Sequence, residues 1–153
     1  MSVRQSTHSI LVANCANSSS KEFTEDGYFR TGDIGKMDEK GYFTILDRKK
    51  DMILVSGFNV FPNEIESVML DCEGISDCAV IGVADDSQGE SVKIYVIPDN
   101  DSVSEAMIKD FAYKNLTRYK CPSHIEFVDD LPKSNVGKVL RQKLLEKHLA
   151  DHA

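Results

Sequence analysis

Apolar residues along the chain occur in two patterns, as short continuous runs and at the three- or four-residue spacing of a helix face. The continuous runs predict strands over 42–46, 52–55, 78–83, 91–97 and 125–128. The helical spacing predicts three helices, whose apolar faces are Ile65, Val68, Met69 and Cys72, then Ile108, Phe111, Ala112 and Leu116, and finally Leu140, Leu144, Leu145 and Leu149. The short polar segment 85–89 has no helical pattern and predicts an antiparallel hairpin between its flanking strands. Together these elements predict an α+β fold, with a small mixed or antiparallel sheet packed against helices.

Glycine, proline and serine residues predict where the elements begin and end. The pair Ser56-Gly57 permits a turn with positive φ, and Pro62 suits the first position of the helix that follows. Gly74 suits the end of that helix. The segment Ser102–Glu105 predicts a capping box, with its first residue as the N-cap of the second helix.

Composition narrows the class of protein. The chain has 25 acidic and 18 basic residues and a formal net charge of -7, which argues against a nucleic-acid binder. The four cysteines contain no Cys-x-x-Cys pair and the four histidines form no ligand pattern, so no metal site is expected. No apolar run reaches the length of a membrane span, and the run 9–13 is too short for a secretory signal. These features predict a cytoplasmic protein, and the serine-rich segment 1–22 predicts a poorly ordered lead-in.

Three segments combine residues in ways that suit chemistry. Segment 27–35 reads Gly-Tyr-Phe-Arg-Thr-Gly-Asp-Ile-Gly, and segment 131–141 reads Leu-Pro-Lys-Ser-Asn-Val-Gly-Lys-Val-Leu-Arg. Between them, segment 47–66 joins a charged corner, an apolar strand, a glycine turn and a helix start. In this order and spacing the three segments resemble the motifs of acyl-CoA synthetases, of the adenylate-forming superfamily, and among these the bacterial long-chain fatty-acid–CoA ligases. The resemblance extends from Phe23 to the last helix.

The resemblance implies a division of the chain into three parts. Residues 1–22 lie outside it, and a fragment boundary, an expression leader or an altered reading frame would each explain this lead-in. Residues 23–46 correspond to the edge of a large ATP-binding domain. Residues 47–153 correspond to the small C-terminal domain that moves against it, and Asp47 corresponds to the hinge.

The same resemblance implies a two-step reaction. A fatty acid reacts with ATP, together with Mg, to give acyl-AMP and pyrophosphate, and the acyl group then passes to CoA. No segment resembles the Ser/Thr/Gly-rich phosphate loop of the large domain, so we expect the isolated chain to be inactive and that domain to be its partner. We expect the complete enzyme in the cytoplasm or peripherally at the membrane. Without the large domain, the strands of 23–46 are expected to expose apolar edges and to self-associate.

Lys138 is the candidate catalytic residue. Segment 132–137 has no periodicity, and Gly137 gives the backbone the freedom to deliver the lysine into a cleft. From the spacing alone, a surface lysine that opens an amphipathic helix is the favoured interpretation. The resemblance to the family's lysine loop reverses this preference, although Val136 stands where many relatives have Ser or Thr. It implies that Lys138 stabilises the charge that develops when a carboxylate attacks the α-phosphorus of ATP.

Two residues are candidates for nucleotide binding. Asp33 resembles the carboxylate that accepts hydrogen bonds from the ribose hydroxyls of ATP, and Arg48 resembles a second ribose or phosphate contact. The structural alternatives are a turn aspartate after a glycine, and a solvated basic corner at 48–50.

Ser56, Gly57 and Phe58 are candidates for the CoA site. They resemble the loop that lines the tunnel for the pantetheine arm of CoA, where a missing Cβ permits close approach. The alternative is a plain turn between a strand and a helix.

Two other functions compete with the ligase interpretation. The chain could be an autonomous module that binds CoA, an acyl carrier or a protein partner and reuses the fold. It could also be the tail of a peptide synthetase adenylation domain, although segment 46–66 is more similar to the fatty acyl-CoA ligases.

Overall fold

The computed structural model describes residues 8–13, 24–26 and 28–152. The chain divides into two compact units, Met1–Lys50 and Asp51–Ala153. The boundary lies inside the 3-10 helix Lys49–Asp51, shortly after Asp47. Within the segment 1–22, for which the sequence predicts a poorly ordered lead-in, His8–Ala13 forms a strand, and the remainder of that segment lies outside the described residues.

The described part of the first unit is a three-stranded antiparallel sheet. Its strands are β1 (His8–Ala13), β2 (Tyr28–Met37) and β3 (Phe43–Arg48), in that order across the sheet. Asp38 closes the connection between β2 and β3, since its Oδ1 accepts hydrogen bonds from the amides of Lys40 and Tyr42, both at 2.9 Å. β3 confirms the strand predicted over 42–46, whereas β1 is not among the predicted strands.

Several large apolar side chains of this sheet are exposed to solvent. They are Tyr28, Met37, Tyr42, Phe43 and Ile45. Several exposed large apolar side chains on one small sheet are consistent with a surface that another body covers. The first unit therefore presents the apolar surface that the sequence predicts for segment 23–46.

The second unit contains a mixed sheet. Its strands are β4 (Ile53–Val55), β5 (Phe58–Val60), β6 (Ile75–Asp85), β7 (Gly89–Pro98) and β8 (His124–Phe127). The order is β5-β4-β7-β6, with β8 paired to β7 in parallel over Lys93–Val96 and the other pairs antiparallel. The long β6–β7 hairpin confirms the antiparallel connection that the polar turn predicts.

In the described part of the second unit, helices cover both faces of this sheet. They are α1 (Pro62–Met69), α2 (Glu105–Asn115) and α3 (Arg141–Asp151). Val80 of β6 and Ile94 of β7 pack with α1 and α2, while their neighbours Ile81 and Tyr95 pack with α3. This alternation follows from the two-residue period of a strand, and it explains why the two central strands are apolar almost continuously. The α+β fold with a mixed sheet against helices is confirmed.

Helix ends differ from the prediction at two places. α1 begins at Pro62 as predicted but has its C-cap at Leu70, and Gly74, with φ 89°, occupies the turn into β6. For α2, the predicted N-cap is wrong. Ser104 is the N-cap, and its Oγ accepts a hydrogen bond from the amide of Met107 at 3.3 Å. Ser102 instead bonds the side chain of Asn100, a nearer acceptor that the capping-box spacing does not take into account.

The predicted apolar stripe of α3 is also partly wrong. Leu144 is buried, but Leu145 and Leu149 are exposed and Leu140 is the half-buried N-cap. Apolar packing of α3 is confined to its first half because a polar network, described below, occupies the contact between its second half and the sheet.

Candidate functional site

Lys138 lies at the end of a tight loop between β8 and α3. The amide of Ser134 donates to the carbonyl of Lys138 at 2.8 Å, and the amide of Gly137 donates back to the carbonyl of Ser134 at 2.8 Å. Gly137 has φ 78°, and a Cβ added there would meet nothing within 4 Å. The glycine thus permits the sharp turn that the sequence predicts, and the Lys138 side chain is exposed.

Ion pairs on both sides hold this loop to the rest of the second unit. Before the turn, Lys133 Nζ lies 2.6 Å from Asp77 Oδ2 on β6. This hydrogen bond raises the pKa of Lys133. Behind the turn, Lys133 and Val139 form an antiparallel bridge, and the amide of Leu140 donates to the carbonyl of Pro132 at 2.7 Å. The loop is therefore a short hairpin with an anchored base.

After the turn, Arg141 connects the loop to α1. Its Nη2 donates to Asn63 Oδ1 and to Glu66 Oε2, each at 2.6 Å. The other carboxylate oxygen of Glu66 accepts a hydrogen bond from the backbone amide of Val80 at 2.8 Å. The Arg141 and Glu66 side chains are only 16% and 13% exposed, which makes this a largely desolvated pair. Helices α1 and α3 and strand β6 therefore meet at one polar joint.

Gly57 lies at the tip of a second hairpin, between β4 and β5. Ser56 has φ 49° and Gly57 has φ 83°, so both residues of the two-residue turn adopt the left-handed conformation of a type I′ hairpin. The predicted positive-φ turn is confirmed. The strand β5 was missed, because a three-residue run interrupted by Asn59 is too short to stand out from the helix start behind it. A Cβ at Gly57 would meet nothing within 4 Å.

Phe58, on the flank of this hairpin, is 54% exposed and stacks on Tyr119. The ring centroids are 4.7 Å apart and the planes differ by 19°. Next to Tyr119, Lys120 Nζ lies 2.6 Å from Glu64 Oε1 in the first turn of α1. Neither Tyr119 nor Lys120 is identified from the sequence, because nothing in their spacing indicates contacts with Phe58 and Glu64, about 60 positions earlier in the chain.

The first unit brings the two candidate nucleotide-binding residues together. Asp33 of β2 and Arg48 of β3 are cross-strand partners, and Arg48 Nε lies 3.4 Å from Asp33 Oδ1. Beside them, Asp47 is buried, and its Oδ1 accepts a hydrogen bond from the amide of Arg48 at 2.8 Å. A carboxylate and a guanidinium thus lie side by side, and together they offer acceptors for hydroxyl groups and donors for phosphate oxygens. Lys138 and Gly57 belong to the other unit, on separate loops.

An ion-pair network that is buried at Lys93 and partly exposed at Glu126 and Lys147 fixes the second half of α3 to the sheet. Lys93 of β7 lies 2.8 Å from Glu126 Oε2 of β8, and Lys147 of α3 lies 2.8 Å from Glu126 Oε1. Lys93 Nζ also lies 3.1 Å from His148 Nδ1, and His148 packs against the ring of His152. This geometry requires His148 to accept at Nδ1, which only the neutral ring does.

The network shifts the pKa values of its members. Burial favours the neutral form of Glu126, but hydrogen bonds from Lys147 and Lys93 outweigh it and lower the pKa of the carboxyl. Burial, followed by the charge of Lys93 and the nearby His152 and His124, lowers the pKa of His148. Burial lowers and the bonds to Glu126 and Tyr95 raise the pKa of Lys93, with a net increase. The network therefore favours the protonated form of Lys93 and Lys147 and the neutral form of His148.

The cysteines of the second unit are buried. Burial, and secondarily the carboxylates of Glu66 and Asp77, raise the pKa of the Cys78 thiol to about 12. Burial also raises the pKa values of Cys72 and Cys121. Such thiols remain protonated and are poor nucleophiles.

Among residues 8–13, 24–26 and 28–152, no group of three or more His, Cys, Asp or Glu side chains is arranged to hold a metal ion. None of the helices in this described part is long and apolar enough to cross a membrane.

Known proteins resemble most of the chain. It is 51% identical over 126 residues to a long-chain-fatty-acid–CoA ligase of Escherichia coli and 47% identical over 129 residues to one of Haemophilus influenzae. These alignments cover 82% and 84% of the chain but only 22% and 23% of the ligases, so the chain spans less than a quarter of the length of these relatives.

Solved structures agree with the sequence relatives. ATP-bound MatB from Rhodopseudomonas palustris is 42% identical with a TM-score of 0.79, over 84% of this chain and 26% of MatB. The anthranilate CoA ligase AuaEII in complex with anthranoyl-AMP is 31% identical with a TM-score of 0.81, over 97% of this chain and 31% of that ligase. Both are adenylate-forming enzymes. The model of the AMP-binding enzyme C-terminal domain family matches residues 64–138, which include α1 from Glu64 onward, the central hairpin and the loop up to Lys138. Residues 64–138, just under half of the chain, thus belong to the AMP-binding enzyme C-terminal domain family.

Proposed function

We propose that the chain is the C-terminal portion of an ATP-dependent long-chain fatty-acid–CoA ligase. The observation that carries the proposal is the Lys138 loop, a short hairpin with an anchored base and an exposed lysine next to its tip. The similarity to ligases that are named for this reaction supports the substrate class. ATP, with Mg, and CoA are the proposed cosubstrates, and a fatty acid is the acyl donor.

Lys138 acts in the first half-reaction. When the fatty-acid carboxylate attacks the α-phosphorus of ATP, two anions combine and negative charge builds up on the phosphate oxygens. A lysine ammonium delivered to these oxygens by an anchored loop stabilises that charge without reorganising during the reaction. The side chain is exposed in this unit, so the receiving cleft belongs to the remainder of the enzyme.

Asp33 and Arg48 hold the nucleotide. The Asp33 carboxylate accepts hydrogen bonds from the two ribose hydroxyls, and the Arg48 guanidinium donates to the ribose or to phosphate oxygens. Their contact at 3.4 Å supports this assignment, since Arg48 orients the carboxylate before a nucleotide binds. Asp47 is the hinge, at the end of β3 and next to the boundary between the two compact units.

Gly57 acts in the second half-reaction, with Ser56 and Phe58 beside it. Rotation at the hinge withdraws Lys138 and brings the β4–β5 hairpin to the acyl-AMP. The pantetheine arm then passes along the hairpin tip, where the absent Cβ of Gly57 leaves room for it.

The large domain is the proposed partner, and the exposed apolar side chains of β2 and β3 are the surface that it covers. In its absence we expect this surface to drive self-association of the isolated chain. Sedimentation velocity over a hundredfold range of concentration measures this directly. A strictly monomeric species at the highest concentration contradicts the self-association.

Complementation in trans tests the proposed function. The chain is mixed with a separately produced large domain of the Escherichia coli ligase, and both ATP–pyrophosphate exchange and acyl-CoA formation from palmitate are measured. We expect no activity from either part alone and activity from the mixture. Lys138→Ala is expected to abolish it, and Lys143→Ala, at an exposed lysine on α3, serves as the matched control.

Two outcomes contradict the proposal. Robust exchange by the isolated chain would overturn the expectation that it is inactive alone. No activity with a large domain that is folded and binds ATP would favour the autonomous binding module, for which calorimetric titration of the chain with CoA is then the decisive measurement.

A further inference from the structure

The side chain of Phe58 occupies an unusual position for a large aromatic residue. It lies on a three-residue edge strand directly after the left-handed turn, and more than half of its surface is exposed. It is not among the residues of the apolar core beneath α1 and α2. Packing by its own strand therefore does little to restrict the direction of the ring.

Tyr119 supplies that restriction from another part of the chain. Its ring packs against the apolar core on one side and stacks on Phe58 on the other. An offset stack at 4.7 Å is in the range where aromatic pairs gain energy beyond the area they bury. Tyr119 thus links the exposed ring to the rigid part of the domain.

The segment that carries Tyr119 is itself well fixed. It is a 3-10 helix, Arg118–Lys120, closed by hydrogen bonds from the amides of Lys120 and Cys121 to the carbonyls of Thr117 and Arg118. Cys121 is buried directly behind it, and Lys120 pairs with Glu64 on α1 at 2.6 Å. The base of the hairpin is held separately, since the amides of Ser56 and Leu54 donate to Gln88 O and Glu90 Oε2 at 2.8 and 2.6 Å. The Tyr119 stack therefore adds a contact at the Phe58 ring, from a segment that is itself fixed to α1.

The stack has a consequence for the space beside Gly57. Apart from its chain neighbours Ser56 and Phe58, no residue in the described part of the chain has an atom within 4 Å of a Cβ built on Gly57. The Phe58 ring is therefore the large side chain next to this space, and a released phenyl ring is large enough to fill it. Stacking on Tyr119 fixes the position of the ring.

We propose that Tyr119 is a positioning residue for the acyl transfer to CoA, because its stack fixes the Phe58 ring beside the path along Gly57. This inference rests on the proposed function for the identity of the ligand. The fixation of the hairpin by Tyr119 does not depend on that function, so the two are tested separately.

Amide hydrogen exchange on the chain itself tests the fixation. We compare Tyr119→Leu, which retains apolar volume but has no ring face, with Tyr119→Phe, which retains the ring. Tyr119→Leu is expected to speed exchange at the hydrogen-bonded amides of Ser56 and Phe58 about tenfold, whereas Tyr119→Phe stays at the wild-type rate. Tyr113→Leu, at an exposed tyrosine of α2, is the matched control. Unchanged exchange in Tyr119→Leu overturns the inference.

Kinetics of the complemented enzyme test the consequence for catalysis. We expect Tyr119→Leu to raise the KM for CoA about five- to tenfold in acyl transfer from preformed acyl-AMP, while ATP–pyrophosphate exchange stays within twofold of wild type. Tyr119→Phe restores the wild-type KM. A variant that loses both half-reactions equally, or neither, contradicts the positioning role. If the wild-type mixture shows no activity, the proposed function is contradicted instead. The amide hydrogen-exchange experiment then still tests whether Tyr119 fixes the hairpin.

Discussion

Two hairpins of the second unit have similar backbones and different tips. The Lys138 loop and the β4–β5 hairpin each turn at a glycine with φ near 80° that has open space around it. The first carries an exposed lysine directly after its glycine. The second carries no side chain at its glycine and has an aromatic ring beside it. One hairpin is therefore built to deliver a charge, and the other to leave a space.

The contacts that hold the two hairpins in place also differ in kind. Ion pairs fix the Lys138 loop at Asp77 and Glu66, whereas hydrogen bonds to Gln88 and Glu90 and a ring stack fix the Gly57 hairpin. Arg141 then joins the two, since it binds Asn63 and Glu66 on the helix that directly follows the Gly57 hairpin. This difference shows that one compact unit can present both an exposed charge and an open space, provided that separate contacts fix each of the two loops.

The sharpest test of the contrast is the removal of the charge. Lys138→Ala is expected to slow acyl-AMP formation about a hundredfold to a thousandfold, the usual effect of losing one preorganised group that stabilises transition-state charge. Acyl transfer from preformed acyl-AMP to CoA is expected to change less than twofold, because the Gly57 hairpin is intact. The two half-reactions are measured separately in the complemented enzyme. Equal decreases in the rates of both half-reactions would show that the two hairpins do not serve separate half-reactions.

Breaking the joint between the hairpins is expected to destabilise the whole unit. Arg141→Ala removes the guanidinium from the largely buried Glu66 carboxylate, which costs roughly 3 kcal/mol of unfolding free energy. Arg141→Lys retains the charge but not the planar guanidinium, whose Nη2 donates to Asn63 and Glu66 while Nη1 lies 3.9 Å from Asp51, so an intermediate loss is expected. Urea unfolding followed by circular dichroism measures both. A loss of less than about 0.5 kcal/mol of unfolding free energy for Arg141→Ala would mean that the Arg141–Glu66 pair contributes no more than an exposed surface ion pair.

A side chain at the empty tip is expected to have a smaller and more selective effect. Gly57→Ala costs about 1 kcal/mol of stability because of the left-handed backbone, and Gly41→Ala, with φ 85° and equally open surroundings, costs about the same. Only Gly57→Ala is expected to raise the KM for CoA as well. Thermal unfolding and acyl-transfer kinetics of both variants check this pairing. A raised KM in Gly41→Ala would mean that strain rather than position is responsible.

The smallest effect concerns pH. The pKa of His148 is lowered in the folded state, so folding favours the neutral ring, and the resulting stability is present above the unfolded value of about 6.5 and is lost as the pH falls below it. The lowered pKa of Glu126 acts in the same direction at more acidic pH. Lys93, Lys147, His124 and His152 face the same network and enter this balance through their charges.

Acidification from pH 7.5 to 5.5 is therefore expected to loosen the second half of α3 and not the Gly57 hairpin. Hydrogen exchange at both places measures this difference. His148→Gln is expected to remove part of the pH dependence of α3, whereas His152→Gln, at an exposed ring, is expected to retain most of it. A stronger acid response at Gly57 than at α3 would contradict the assignment of the network to α3.

The sequence predicts the fold wherever local pattern decides it. The β6–β7 hairpin, the helix start at Pro62 and the turn at Ser56-Gly57 each depend on a few neighbouring residues, and the structure confirms them. The prediction was wrong where two local signals compete, as at Ser102, or where tertiary contacts replace apolar packing, as in the second half of α3. β5 was missed because its three residues carry too little pattern.

The residues of the candidate site likewise fall into those that local motifs identify and those that only the structure reveals. Asp33, Arg48, Gly57 and Lys138 were identified from motifs, and their roles stay predictions that the experiments above test. Tyr119, Glu66 and Asn63 were not identified, because their partners lie 61, 75 and 78 positions away along the chain and no local pattern indicates these contacts. Long-range packing, rather than composition, determines what holds each loop in place.

Glu66 has one more consequence, for the behaviour of the protein in a crowded solution. β6 is the outermost strand of its sheet, and such a strand invites pairing with an extended segment of another molecule. One oxygen of Glu66 occupies the amide of Val80 in the middle of that strand, while the other receives Arg141. A carboxylate at this place blocks strand addition from neighbouring chains. Loss of Glu66 is therefore a route to aggregation as well as to a loosened joint.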